Sequence, residues 1–314
     1  MHNQAVKSTP PEPKKILDKY FEQMNEVIVD KTKEVELAMI CILSEGHLLL
    51  EGRPGVGKTS LVKAMAKLLG LSSQRIQFTN DMLPADIIGT SIFNKESNKF
   101  EFHHGPIFAN FILADEINRA TPKSQSATLQ AMEERTVNID GQHFVLPRPF
   151  YLFATQNPQD NVGTFALPES QLDRFLMRVN LSVPSREAEK AIIQGENRGH
   201  LIDKLEQVMQ ETDLENMISL VEKVHCSESV LNYLLDVVEK SRVMAKGLST
   251  RATQDFLRAS KAKAFIQGRD YVIPEDVQFV GVYIMNHRLE MDVIGEYRNG
   301  YELAEEILET VEVS

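Results

Sequence analysis

Three consecutive leucines, Leu48-Leu49-Leu50, run through Glu51 into Gly52-Arg53-Pro54-Gly55-Val56-Gly57-Lys58-Thr59. No other stretch of the chain constrains its fold as tightly. A short apolar run ending in a glycine-rich turn reads as a buried parallel strand. The residues after it, from Ser60 to Leu69, read as a helix. The turn fits G-x-x-x-x-G-K-[ST], and its strand–loop–helix setting separates a phosphate-binding loop from a chance match. Its glycines let backbone N–H groups converge on an anion without Cβ clashes. The start of the helix near Lys58 adds partial positive charge. The pattern predicts that Gly52, Arg53, Pro54, Gly55, Val56, Gly57, Lys58, Thr59 and Ser60 hold the phosphates of ATP. Lys58 would reach the β- and γ-phosphates, and the Thr59 hydroxyl would ligate Mg²⁺. The bland alternative, a glycine turn with an exposed lysine, does not account for the strand before it or the helix after it.

Similar apolar runs recur at Ile76-Gln77-Phe78, at Phe111-Ile112-Leu113-Ala114, at Tyr151-Leu152-Phe153-Ala154 and from Met177 to Leu181. A helical segment from Pro122 to Glu134 lies between two of them, with Thr121 as N-cap and Pro122 at the first helical position. Strands alternating with helices predict a parallel sheet sandwiched by helices, the α/β P-loop NTPase fold. Two further helices are expected before it, one from Lys14 and one through Val35 to Ile42. Beyond Pro184 the spacing is helical throughout, over 187–197, 214–224, 229–244, 253–265 and 274–288. The expected organisation is a flexible arm over 1–13, a nucleotide-binding domain over 14–184, and an all-α helical lid over 185–314.

The third apolar run ends in Asp115-Glu116. A strand aimed at the nucleotide would set Asp115 beside Thr59 and magnesium. Glu116, one residue on, would polarise a water for attack on the γ-phosphate. Alone, two acids after an apolar run also suit the start of a helix; beside a phosphate loop the catalytic reading is the stronger.

Composition excludes several classes. The 314 residues are 42% hydrophobic and 25% charged, enough for a real core. The net charge of -11 argues against a broad nucleic-acid footprint. Cys41 and Cys226 form no Cys-x-x-Cys pair and read as reduced thiols. No apolar signal region follows Met1, and no stretch approaches the ~20 residues a membrane span needs, so a cytoplasmic location is expected.

The segment 114–123, Ala-Asp-Glu-Ile-Asn-Arg-Ala-Thr-Pro-Lys, resembles the one following Walker B in MoxR-type AAA+ ATPases. So do 129–135 (Leu-Gln-Ala-Met-Glu-Glu-Arg), 153–158 (Phe-Ala-Thr-Gln-Asn-Pro), 167–175 (Leu-Pro-Glu-Ser-Gln-Leu-Asp-Arg-Phe) and 248–252 (Leu-Ser-Thr-Arg-Ala), in family order. The resemblance runs from about Tyr20 to Leu289. It implies a hexameric ring with ATP between subunits. Asn157 would be the polar sensor, Arg174 the arginine finger acting on a neighbour, with Arg178 as a rival, and Arg251 sensor 2, directed toward the phosphates. Without the resemblance, Asn157 reads as a turn residue and Arg174 as an ion pair with a carboxylate such as Asp173.

The family also implies two inserted hairpins, over 91–105 and 136–148, that are candidates for gripping a client. The adjacent His103 and His104 do not share a strand face and read as packing or surface residues. Val29 would border the adenine, although Asp30-Lys31 stands where many relatives carry Gly-Gln. The function implied is ATP-driven remodelling or maturation of partner proteins, a von Willebrand A-type protein being the partner suggested. A nucleic-acid motor, a subunit of a metal-chelatase-like complex and a non-hydrolysing nucleotide switch are the alternatives.

Overall fold

The computed structural model describes residues 11–313, apart from 54, 140, 158–162, 196–197, 290 and 294–295. Helices α1 (Pro11–Val27) and α2 (Thr32–Leu43) precede β1 (Leu48–Glu51), and α3 (Lys58–Leu68) follows the glycine loop. Next come β2 (Ser73–Gln77), the short α4 (Pro84–Ile88), and a hairpin of β3 (Gly89–Asn94) and β4 (Lys99–His104). After β5 (Phe111–Asp115) and α5 (Pro122–Glu134), a second hairpin pairs β6 (Thr136–Ile139) with β7 (Gln142–Val145). Then follow β8 (Tyr151–Gln156), the single turn α6 (Glu169–Leu172) and β9 (Met177–Asn180). The remainder is helical: α7 (Arg186–Gln194), α8 (Arg198–Lys204), α9 (Glu211–Glu222), α10 (Glu228–Met244), α11 (Thr250–Ile266), α12 (Pro274–Leu289) and α13 (Gly300–Thr310). Between α12 and α13 a small antiparallel pair, β10 (Met291–Val293) and β11 (Glu296–Arg298), interrupts the helices.

Five strands form one parallel sheet in the order β2-β5-β8-β1-β9. The leucine run shows why it is stable. Successive side chains of a strand face opposite ways, and Leu48 and Leu50 enter one apolar core while Leu49 enters the other. Phe111 and Leu113 part from Ile112 and Ala114 in the same manner. Each fully buried leucine contributes about 1.5–3 kcal/mol relative to exposure. The first core is continuous with the later helices, because α2 packs on α9 and α11, and α12 packs on β9.

One boundary differs from expectation at the start. α1 begins at Pro11 rather than at Lys14, because proline is tolerated in a first helical turn, where its missing N–H has no partner to lose.

Candidate active site

Parallel neighbours present their C-terminal ends along one edge of a sheet, where open α/β sheets bind ligands. There the chain forms a cleft of about 330 Å³. The loop and α3 supply Gly55, Gly57, Lys58, Thr59 and Ser60; β2 supplies Arg75 and Gln77. Asp115 ends β5, Glu116 follows it, and Asn157 follows β8.

The loop's shape depends on its glycines. Gly52 has φ 151°, and a Cβ there would stand 2.6 Å from the Leu181 carbonyl oxygen. Gly57 has φ 97° and sets the start of α3. A Cβ on Gly55 or Gly57 would meet nothing within 4 Å, so the hollow of the loop has room for phosphate oxygens. The Lys58 Nζ lies folded onto the loop and donates to the Gly52 carbonyl at 2.7 Å. Partial burial lowers its pKa, while the carboxylates of Asp115, Glu116 and Glu51 act in the opposite direction.

A buried threonine organises the two acids. The Thr155 hydroxyl donates to Asp115 Oδ1 at 2.6 Å and accepts the Glu116 N–H at 2.9 Å. Glu116 adopts φ 57°, an unusual conformation for a residue with a side chain, and the hydrogen bond from its own N–H holds it there. The turn brings its carboxylate to Gln77 Nε2 at 3.1 Å and to Arg119 Nη1 at 3.2 Å. Asp115 Oδ2 accepts from Arg75 Nη2 at 2.6 Å and Nε at 3.0 Å. Arg75 Nη2 also donates to Gln77 Oε1. Thr155, Arg75, Gln77 and Arg119 were not among the site residues expected from sequence. The legible signal was the i, i+2 spacing of Arg75 and Gln77, which puts both on one face of β2.

Asp115 and Thr59 offer the hard oxygen ligands that magnesium takes. Among the described residues no three His, Cys, Asp or Glu side chains converge on a metal site. The set therefore fits an ion held jointly by one carboxylate, one hydroxyl and phosphate oxygens.

Other expected residues lie elsewhere. Pro54 falls outside the described residues. Arg53 is exposed, Val56 packs against the apolar core, and neither lines the cleft. Gly52 is buried and contributes its carbonyl to Lys58. Val29, half-buried between α1 and α2, does not line the cleft either. Asp30 takes φ 62°, a conformation Asp tolerates better than most residues, and accepts the Ser185 N–H at 2.8 Å. Lys31 is buried and donates to Ser182 Oγ at 2.9 Å. The departure from Gly-Gln thus preserves a tight turn and ties it to the segment leading into α7.

The two arginines placed by resemblance converge on one carboxylate, that of Glu133, and do not line the cleft. Arg174 Nε lies 3.0 Å from Glu133 Oε2, and Arg251 Nη1 lies 2.7 Å from Glu133 Oε1. Arg251 does not line its own chain's cleft, so within one chain it does not reach toward the phosphates. Its position follows from Ser249, which caps α11 and also donates to Asp173 at 3.0 Å. Asp173, the partner expected for Arg174, is held instead by Arg288 Nε at 2.7 Å. Arg178 is corrected as well. It is buried in β9, donates to the Asn286 side chain and carbonyl at 3.1 Å each, and lies 3.5 Å from Glu51. A residue so held is part of the core and is no rival for the finger. His104 stacks on Phe108 at 4.2 Å, a packing role.

Comparison with known proteins agrees with this architecture. Residues 47–177 match the ATPase family associated with various cellular activities, and residues 240–311 match the AAA lid domain. The uncharacterized protein YeaC of Bacillus subtilis is 42% identical over 277 residues, covering 87% of each chain. Chaperone MoxR1 of Mycobacterium tuberculosis is 39% identical over 285 residues, covering 87% of this chain and 75% of that one. A crystal structure from Cytophaga hutchinsonii, described as a candidate ATPase, superposes with a TM-score of 0.86 at 35% identity, covering 96% of both chains.

Proposed function

The chain belongs to the MoxR-type AAA+ ATPases, and from that premise we propose that it hydrolyses ATP with Mg²⁺ between the subunits of a hexameric ring. The observation that carries this reading is the convergence of Lys58, Thr59, Asp115, Glu116 and Asn157 on one cleft. Lys58 turns from the Gly52 carbonyl to the β- and γ-phosphates. Thr59 and Asp115 would hold the metal, which would supply charge to offset that of the phosphates. Glu116 takes the proton-accepting role toward the attacking water, and Asn157 orients that water. Gly52 to Ser60 wrap the phosphates through their backbone N–H groups.

The finger is supplied in trans. Arg174 and Arg251 share Glu133 outside their own cleft, so together they offer two guanidinium groups to a neighbour. An arginine finger stabilises charge on the transferring phosphoryl group and raises turnover by ~10³ or more. Glu133 orients the pair until that neighbour docks.

The work done by turnover is remodelling or maturation of partner proteins in the cytoplasm, with a von Willebrand A-type protein as the leading candidate. Support comes from the chaperone named among the relatives and from the exposed Ile92, Phe93 and Phe100 on the first hairpin. No described helix is long and apolar enough to cross a membrane. We place the division between nucleotide-binding domain and lid at Pro184, supported by the end of the sheet at Asn180.

Mixing two inactive variants tests the proposal. Glu116→Gln carries a working finger and a dead site, and Arg174→Ala carries the reverse. Each alone should bind ATP yet hydrolyse it at under about one hundredth of the wild-type rate. In mixed rings, with co-assembly verified by native mass, activity should partly return. Mixed rings that stay silent would remove Arg174 from the trans role, and wild-type turnover by Glu116→Gln would remove Glu116 from catalysis.

A further inference from the structure

The carboxylate proposed to meet the metal already has a cation on it. Asp115 is almost fully buried, and its Oδ1 is committed to the buried Thr155 hydroxyl. Its other oxygen, Oδ2, accepts two N–H groups of Arg75, at 2.6 and 3.0 Å. Both donors belong to one guanidinium edge and reach Oδ2 from the same side, so the oxygen carries a full positive charge against it. A metal ion, or a water of its shell, that approaches this oxygen meets the charge and bulk of the guanidinium while Arg75 keeps it. Arg75 differs from the other cleft residues in its freedom to leave. Its side chain is 47% exposed, and among the described residues its side-chain partners are Asp115 and Gln77.

We infer that Arg75 is a latch on the magnesium site: it neutralises Asp115 while the cleft lacks Mg²⁺–nucleotide, and it swings out when the metal arrives. The inference rests on the nucleotide reading above and goes beyond it by giving metal entry an internal competitor. Electrostatics fit the exchange, because the buried carboxylate keeps a positive partner in either state, first the guanidinium and then the ion. The latch also reaches the second acid. Arg75 holds Gln77 through its amide oxygen, and the amide nitrogen of Gln77 donates to Glu116 at 3.1 Å. Departure of Arg75 therefore loosens Gln77 and relaxes one of the two donors restraining Glu116, the other being Arg119. Metal occupancy and readiness of the base become linked through side chains of β2 alone.

The test is the effect of metal on ADP affinity, which needs no turnover. Full-length wild type, Arg75→Ala and Arg75→Lys are titrated with ADP by calorimetry, once in EDTA and once in saturating Mg²⁺. The ratio of the two dissociation constants measures how strongly metal and nucleotide support each other. Removing the competitor should enlarge this ratio roughly three- to tenfold in Arg75→Ala, the range for a partly exposed, charge-assisted pair. Arg75→Lys keeps a cation but not the double donation to Oδ2, so its ratio should fall between the two. Thermal melting checks that both variants fold, as the exposed position of Arg75 leads one to expect. A ratio that is unchanged or reduced in both variants overturns the latch. Loss of ADP affinity in EDTA also overturns it, by making Arg75 a phosphate contact. Failure of the wild-type chain to bind ADP in either buffer overturns the nucleotide reading itself, and the latch with it.

Discussion

In the proposed function, Lys58 is the residue on which the cleft's affinity for ATP should depend most. It is the cation at the mouth of the glycine loop, and in this structure it is spent on the Gly52 carbonyl. Lys58→Ala should reduce ATP affinity by at least about a hundredfold, read by isothermal titration with Mg²⁺, because it removes the charge that faces the phosphates. Affinity equal to wild type would falsify the loop assignment. Lys58 and Thr59 were legible in the sequence from the glycine loop between a strand and a helix, and Asp115 and Glu116 because they end an apolar run, where the chain must leave a buried strand. Thr155 ends such a run too, yet its role stayed hidden, since bridging two acids is a property of neighbouring strands and not of a motif. Arg75 was hidden for the same reason: only the pairing of β2 with β5 brings it to Asp115. Which cleft Arg251 serves was not legible, because sequence states which helix carries a side chain but not which way that helix faces.

At the scale of elements, the two inserted hairpins are joined. Phe102 of β4 lies 4.1 Å, centroid to centroid, from Phe144 of β7, and Phe108 and His104 extend the cluster. Any grip by the exposed tip of the first hairpin is therefore braced by the second. Phe144→Ala should remove aromatic contacts worth about 0.5–1.5 kcal/mol per pair. Amide exchange should then quicken in both 89–104 and 136–145 while β1 and β5 stay protected; quickening confined to the second hairpin would refute the brace. Both hairpins could be read from their strand–turn–strand patterning. α13, although not named among the expected helices, was readable, since Leu303, Ala304, Ile307 and Leu308 are all buried at helical spacing. α8 and the β10–β11 pair were not, because elements of seven and three residues carry too few apolar positions to define a period.

For the whole molecule, acid stability has an identifiable contributor. His47 lies just before β1 and is buried, its Nδ1 accepting the Leu152 N–H of β8 at 3.0 Å. Burial first, and then the charges of Arg135 and Arg251, push its pKa down to about 3. The unfolded chain binds this proton near the ordinary value of 6.5 and the folded chain does not. His47 thus supports folding fully above that value, and the support is lost as pH falls from 6.5 toward 3. His47→Gln retains an acceptor for Leu152 and cannot titrate, so its urea midpoint should fall less steeply than that of wild type between pH 7 and 4. The buried His287 acts in the same sense and should leave a residual slope. Equal slopes would exclude His47 from the effect. The other whole-molecule property follows from α12. Arg288 grips the Asp173 carboxylate and the carbonyls of Asp173 and Phe175, the two residues flanking Arg174. Wherever the lid goes, the backbone that carries Arg174 goes with it. In the ring proposed above, this would make each protomer the timekeeper of another's chemistry: a lid displaced by events at its own nucleotide would withdraw or deliver a guanidinium next door. Order of firing around the ring would then be set by rigid attachment within one chain, with no separate messenger between clefts.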